Sequence, residues 1–281
     1  MIYTLREGDR GQPVADMQGK LTRCKADGIW GPKTSRALKA YQRKHKLAVD
    51  AVAGPETLGQ MRLYPVLVLD ASHWQGRVDW SAVKAAGADV VILKCSEGLT
   101  HADSRYPEHL RGASEAGLLV GAYHYGRSGN DPVTEAGVAV KRALGVRKVH
   151  LDVESHDGMP PDELGQWIAA WCAEVERLTG TTGMIYTARW FARPHLDDGA
   201  AIPEDGRWPL WAADYVRDAR QVASEWDGAW DRHLLWQWTA SARWPGFKGR
   251  VDANWLFSAD GEAAPCSAVV ADADYETGAH V

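Results

Sequence analysis

The stretch Lys148-Val149-His150-Leu151-Asp152-Val153-Glu154 sets two carboxylates one residue apart at the end of an apolar run. Read as a strand, it alternates its side chains, so Asp152 and Glu154 leave the same face with backbones roughly 6–7 Å apart. Two carboxylates that close do not ionise independently. The drier one is driven toward its protonated form, which leaves one proton donor and one group able to stabilise positive charge. Cleavage of a glycosidic bond requires that division of labour. The triplet alone is weak, because Asp274-Tyr275-Glu276 repeats it in a small-residue acidic tail, and a strand-end Asp is commonly a cap for the next helix.

Outward from this stretch, apolar strand-like runs alternate with helical ones. Strands are expected at 66–69, 90–94, 118–123, 148–153, 184–187, 209–213 and 234–238, and helices at 81–86, 107–116, 134–144, 161–179 and 219–225. That alternation is the mark of an α/β fold, either a closed barrel or a layered sheet. Polar residues recur at the strand ends: Asp70, Lys94 with Glu97, Tyr123 and Tyr125 around His124, Asp152 with Glu154, Tyr186, Asp214 with Tyr215, and Gln237. A barrel converges such ends on one face, where active sites form; an open parallel sheet gathers some of them. The helical signal weakens after Met184, which points to an irregular later half.

The chain of 281 residues is long enough for a sizeable core, and no apolar run approaches the ~20 residues of a membrane span. Its start lacks the apolar segment of a secretory signal, so synthesis and folding in a cytoplasm are expected. Cys24, Cys95, Cys172 and Cys266 show no paired spacing, which fits reduced thiols better than disulfides or zinc. The net charge of −5 hides two surfaces: before residue 65 Lys and Arg outnumber Asp and Glu about twofold, and the remainder is acidic. Thirteen of the fourteen tryptophans fall in that acidic part. Core packing is the default for any one of them, yet such a number also suits a cleft in which sugar faces stack on flat rings.

The first part contains a repeat. Asp27-Gly28-Ile29-Trp30-Gly31-Pro32-Lys33-Thr34 with Leu38 recurs as Asp50-Ala51-Val52-Ala53-Gly54-Pro55-Glu56-Thr57 with Met61. In both copies Gly supplies a turn and Pro suits the first helical turn. With a further helix at 13–23 and one at 34–45 presenting Ala37, Leu38 and Tyr41 on one face, a three-helix module is expected over residues 1–62. The segments Leu5-Arg6-x-Gly8-Asp9-x-Gly11, Val14-x-x-Met17-Gln18-x-x-Leu21, Asp27-Gly28-x-Trp30-Gly31-x-x-Thr34 and Tyr41-Gln42 resemble the peptidoglycan-binding domain of many cell-wall hydrolases. The resemblance implies that this module holds the protein on bacterial peptidoglycan, an anionic polymer toward which a cationic surface is drawn.

The second part carries a further resemblance. Asp70-Ala71-Ser72-His73-Trp74-Gln75-Gly76, Val78-Asp79-Trp80, Ile92-Leu93-Lys94-Cys95-Ser96-Glu97-Gly98, Gly121-Ala122-Tyr123-His124-Tyr125 and Leu151-Asp152-Val153-Glu154 are followed by Ile185-Tyr186-Thr187, Leu210-Trp211-x-Ala213-x-Tyr215, Leu235-Trp236-Gln237-Trp238 and Val251-Asp252-x-Asn254. These landmarks, in this order, are similar to those of the glycoside hydrolase family 25 lysozymes. The resemblance implies an irregular (β/α) barrel over residues 66–258, with the acidic site positions at Asp70, Asp152, Glu154 and Asp252. Glu154 would be the general acid, and Asp152 would position the substrate N-acetyl group or stabilise an oxazolinium-like ion. Asp70 and Asp252 would complete an acidic floor. Lys94, Glu97, Tyr123, Tyr125, Tyr186, Trp211, Tyr215 and Gln237 are the expected substrate contacts. The implied reaction is cleavage of the β-1,4 bond after N-acetylmuramic acid with retention. Ala71 and His101 depart from the family pattern, and Asp103 reads as a turn residue rather than a substrate contact.

Zinc amidases, peptidases and deacetylases also carry peptidoglycan-binding modules, as would a catalytically silent sugar-binding barrel. None of the ten histidines, however, lies in His-x-His, His-x-x-x-His or His-Glu-x-x-His spacing. No metal or other cofactor is therefore expected, and neither nucleic acid nor an integral membrane is an expected partner. The chain is expected to be a monomer. A wall-binding module joined to a muramidase without a secretion signal resembles a bacteriophage endolysin, which waits in the host cytoplasm until the membrane is permeabilised, as by a holin. Residues 259–281, rich in Ala and acidic groups, are an expected loose tail or a strand returning to the barrel.

Overall fold

Gly31-Pro32 and Gly54-Pro55 each open a helix, as the repeat requires. In the computed structural model, which describes residues 5–61, 63, 67–203, 207–215, 230, 233–256 and 270, Met1–Pro65 belong to one compact unit and Val66–Tyr215 to a second. Helices α1 (Gln12–Gly19), α2 (Pro32–Lys44) and α3 (Pro55–Gln60) enclose a core of Leu5, Val14, Met17, Leu21, Trp30, Leu38, Ala53, Leu58 and Met61. The expected helix at 13–23 is shorter, because the Lys20 and Leu21 amides turn back onto the carbonyls of Met17 and Gln18.

The repeat is two copies of one polar clamp. The Gln18 amide donates to Asp27 Oδ1, the Ile29 carbonyl and Thr34 Oγ1, while its Oε1 accepts from the Gly28 amide. Gln42 does the same with Asp50, Val52, Thr57 and Ala51. A buried glutamine thus satisfies the backbone of each irregular loop that precedes a helix, which explains why Asp and Thr recur in the motif.

In the second unit, eight strands close into a ring. They are β1 (Leu67–Ala71), β2 (Val90–Glu97), β4 (Leu119–Tyr125), β5 (Val149–Asp152), β6 (Ile185–Ala188), β7 (Leu210–Ala213), β8 (His233–Ala242) and β9 (Val251–Leu256). The short β3 (His101–Ala102) pairs only with the end of β2. Successive strands are parallel from β1 to β8, but β9 runs antiparallel to both β8 and β1. The closed barrel is therefore the architecture that forms, with a hairpin in place of its last crossover. Helices α4 (Trp80–Ala85), α5 (Tyr106–Glu115), α6 (Pro132–Arg142), α7 (Pro161–Thr179) and α8 (Arg189–Leu196) supply crossovers.

Helix covering outside and a packed lumen inside bury both faces of the strands, which accounts for their continuous apolar runs. Val68, Val90, Ile92, Met184, Tyr186, Trp211, Leu235 and Leu256 fill the interior. Strand β9 and helix α8, like the short β3, depart from expectation. Strand β9 carries Asp252 and Asn254 within an alternating segment too polar to stand out. Helix α8 contains Pro194, an interior breaker, but buries Phe191, Ala192 and Leu196 on one face. The expected helix at 219–225 and, apart from Val270, the tail at 259–281 lie outside the described residues.

Candidate active site

Four strands that fill the lumen with an apolar residue present a polar one two positions on, nearer the mouth: Val68 then Asp70, Ile92 then Lys94, Met184 then Tyr186, Leu235 then Gln237. On the reversed β9 the order inverts, so Asp252 lies at its start and pairs in register with Asp70. Around the ring, Tyr125 is the register partner of Asp152, Asp152 of Tyr186, Tyr186 of Trp211, and Gln237 of Asn254. Closure thereby gathers residues from both ends of the second unit.

Gln237 is the hub of the floor. Its Nε2 donates to Asp70 Oδ2 at 3.1 Å and to Asp252 Oδ2 at 3.3 Å, and its Oε1 accepts from the hydroxyls of Tyr186 at 3.0 Å and Tyr215 at 2.9 Å. Asn254 Nδ2 donates to Asp70 Oδ2 at 2.8 Å, and Asn254 is in turn held by the Trp211 indole N–H at 2.7 Å. Trp211 is only 2% exposed and sits beneath the site, edge-on to Tyr123 and Tyr186. Asn254 was absent from the sequence-based site; its position two residues after Asp252, on the same strand face, was the available signal.

β5 ends at Asp152, and Glu154 follows just beyond, in extended backbone where the Val153 amide still donates to the Tyr186 carbonyl. The two carboxyls share a hydrogen bond. Asp152 is buried, and its Oδ1 has no hydrogen-bond partner among the described residues. All four carboxyls are pushed upward, first by burial. Asp70 rises to about 6 against the hydrogen bonds of Asn254 and Gln237. The charges of Asp70 and Glu154 join burial in driving Asp252 to about 8. Asp152 rises well above the carboxylate range through burial and the charge of Glu154, whereas the Asp152 hydrogen bond and the Lys94 charge restrain the rise of Glu154. The cluster therefore holds protons near neutrality, shared between neighbours.

Lys94 and Glu97 would leave opposite faces of a regular strand. A bulge between Lys94 and Ser96 removes that conflict and allows Lys94 Nζ to reach Glu97 Oε2 at 2.8 Å. Arg127 Nε, unanticipated from the sequence, donates to the other oxygen at 3.1 Å. Lys94 and Arg127 each lie 4.8 Å from the Tyr125 ring centroid. Against burial, hydrogen bonds from Lys94 and Arg127 hold Glu97 down at about 2.

The mouth is rimmed by exposed aromatics: Trp74 at 81%, Trp190 at 68% and Tyr215 at 59%. Trp74 stands on a turn (His73–Gln75) capped reciprocally by Ser72 and Gln75 and tied through His73 to buried Asp103 at 2.7 Å. Asp103 also accepts from the Arg105 amide, consistent with its turn reading. Of the other tryptophans in the acidic part, Trp80, Trp208, Trp236 and Trp255 are core, and Trp238 is half-buried. Among the described residues no cluster of three or more His, Cys, Asp or Glu is arranged to hold a metal ion, and no helix is long and apolar enough to cross a membrane.

The profile of glycosyl hydrolases family 25 matches residues 69–247, and that of a peptidoglycan binding domain matches residues 10–61. Lysozyme M1 of Streptomyces globisporus is 29% identical over 218 residues, 72% of each chain. The bacterial lysozyme from Streptomyces coelicolor superposes with a TM-score of 0.60 at 25% identity, over 69% of this chain and 92% of that one. The catalytic domain of endolysin ply40 from bacteriophage P40 of Listeria monocytogenes gives 0.56 at 27% identity, over 69% and 93%.

Proposed function

This chain belongs to glycosyl hydrolases family 25, and on that premise we propose that it cleaves the β-1,4 bond after N-acetylmuramic acid with retention, Glu154 acting as general acid. It is a peptidoglycan hydrolase of the lysozyme, or muramidase, type. The observation that carries the finer reading is the Asp152–Glu154 pair: two hydrogen-bonded carboxyls at a barrel mouth, one with an unpartnered buried oxygen.

Burial and mutual repulsion keep a proton on the Asp152–Glu154 pair of the free enzyme. An N-acetyl N–H that donates to Asp152 Oδ1 stabilises Asp152 as a carboxylate and places the proton on Glu154. Glu154 then gives it to the glycosidic oxygen as the C1–O bond breaks. The N-acetyl carbonyl oxygen closes onto C1, and Asp152 stabilises the resulting oxazolinium-like cation. Glu154, now a carboxylate, takes a proton from the water that opens the ring, and two inversions leave the β configuration. Direct attack by Asp152 would also give retention; the unpartnered Asp152 oxygen favours the reading in which that residue holds the N-acetyl group.

The N-terminal module serves as the wall anchor, concentrating the barrel on its substrate. Likeness to a phage endolysin domain supports a role in host lysis. Digestion of purified peptidoglycan followed by borohydride reduction tests the bond: reduced muramic acid is expected, and reduced glucosamine would overturn the assignment. Glu154→Gln should lower turnover ~10²–10⁴-fold with folding intact.

A further inference from the structure

Behind the site lies a polar chain that the mechanism does not use. Ser96 Oγ is 2.8 Å from His124 Nδ1, and His124 Nε2 is 2.9 Å from Glu135 Oε1. Ser96, His124 and Glu135 are all fully buried, so Ser96 is no nucleophile: substrate has no access to it. The His124 ring stacks on Trp171 of α7. Burial lowers its proton affinity. A neutral ring donates through Nε2–H to Glu135 and accepts the Ser96 hydroxyl at Nδ1.

Glu135 also accepts the Arg127 backbone N–H on Oε1 at 2.8 Å and the Asn130 side-chain amide on Oε2 at 2.6 Å. Both donors belong to the loop between β4 and α6. A buried carboxylate is costly unless fully hydrogen-bonded, and here the bonds are spent on one loop. That loop carries Arg127 to Glu97, which in turn grips Lys94.

We propose that Ser96, His124 and Glu135 form a positioning brace: they fix the start of the β4–α6 loop, so that Arg127 clamps Glu97 and Glu97 holds the Lys94 ammonium at the carboxylate cluster. The link to catalysis rests on the reading of Glu154 as the acid. Around Glu154 stand the carboxyls of Asp152, Asp70 and Asp252, the phenols of Tyr125, Tyr186 and Tyr215, and the Lys94 cation. Lys94 is the nearby positive charge, and Glu97 divides its own negative charge between Lys94 and Arg127.

The brace makes a signed prediction. Arg127→Ala removes one of the two cations on Glu97, which then neutralises Lys94 more fully; the Glu154 titration midpoint should rise by on the order of half a pH unit. Glu135→Gln should move it the same way, and should add nothing in the Arg127→Ala background. Glu97→Gln, which frees the Lys94 charge, should move it down. The midpoint is read by carbon-13 carboxyl NMR of the full-length protein without substrate, and the alkaline limb of turnover on soluble peptidoglycan fragments is measured beside it.

Trp167 ties the Asn130 carbonyl to α7 at 2.7 Å, so the loop keeps a second attachment in the variants. If Glu135→Gln does not fold, Asn130→Ala, which removes one Glu135 donor, should give a smaller upward shift. An unmoved midpoint in Arg127→Ala, or Glu135→Gln lowering thermal stability with the midpoint unchanged, would overturn the brace. A midpoint that moves while the rate profile stays put would leave the brace standing and remove Glu154 as the acid.

Discussion

Asp70 and Asp252 face each other as register partners across the antiparallel β1–β9 pair, and one amide nitrogen, Nε2 of Gln237, donates to both. The same side chain accepts from Tyr186 and Tyr215. A single neutral residue thereby bridges two carboxyls and accepts from two phenols over the floor. Gln237→Leu, similar in volume, should leave these groups short of partners at ~1–3 kcal/mol each. We expect a lower melting temperature and at least a tenfold loss of turnover. Wild-type turnover in this variant would show that the floor tolerates disorder.

Stability should depend on pH with a defined sign. Asp70, raised to about 6, and Asp252, raised to about 8, both start from 3.8. Across that window the folded state binds more protons than the unfolded chain, so stability is greatest below pH ~4 as far as these groups are concerned and declines as pH rises. The Asp70 contribution is lost by about pH 6 and that of Asp252 by about pH 8. Asp252→Asn should flatten the upper part of the melting-temperature profile and raise its value at pH 8. A profile identical to wild type would mean that Asp252 ionises freely.

Two tryptophans should separate binding from support. Trp74 is 81% exposed and Trp211 2% exposed. Trp74→Ala should change stability by less than ~0.5 kcal/mol while raising KM for polymeric glycan several-fold. Trp211→Ala should destabilise by ~3–5 kcal/mol and release Asn254 from its indole partner. Equal effects of the two on unfolding would contradict the rim assignment.

The repeated loops differ at one strained position. Gly28 and Ala51 occupy equivalent places at φ 69° and 61°, and the left-handed region costs an L-residue roughly 1–2 kcal/mol. Ala51→Gly should relieve that strain, offset by ~0.4–1 kcal/mol of added freedom in the unfolded chain. A net gain of up to about 1 kcal/mol in chemical denaturation of the N-terminal transition is expected. Gly28→Ala should be clearly worse than neutral, since its Cβ would come within 3.0 Å of the Gly11 carbonyl oxygen.

Local sequence determined what depends on near neighbours. The clamp motif of the repeat, the apolar strands with carboxylates at their ends, and the Asp152-Val153-Glu154 spacing are set by periodicity and by the few conformations open to Gly and Pro, so they are legible residue by residue. Tertiary structure decided the rest. β9 forms because it completes a ring, α8 because burial of Phe191 outweighs Pro194. Composition could not say which tryptophans are core and which are rim, because burial depends on what the rest of the chain brings against each ring. The grip of Lys94 on Glu97 required a bulge, and Gln237 became a hub only when β8 was placed beside β9 and near β1. Side-chain period is local, but hydrogen-bond partners and the pKa shifts of buried groups arise between segments far apart in the chain, and only closure of the barrel brings those segments together.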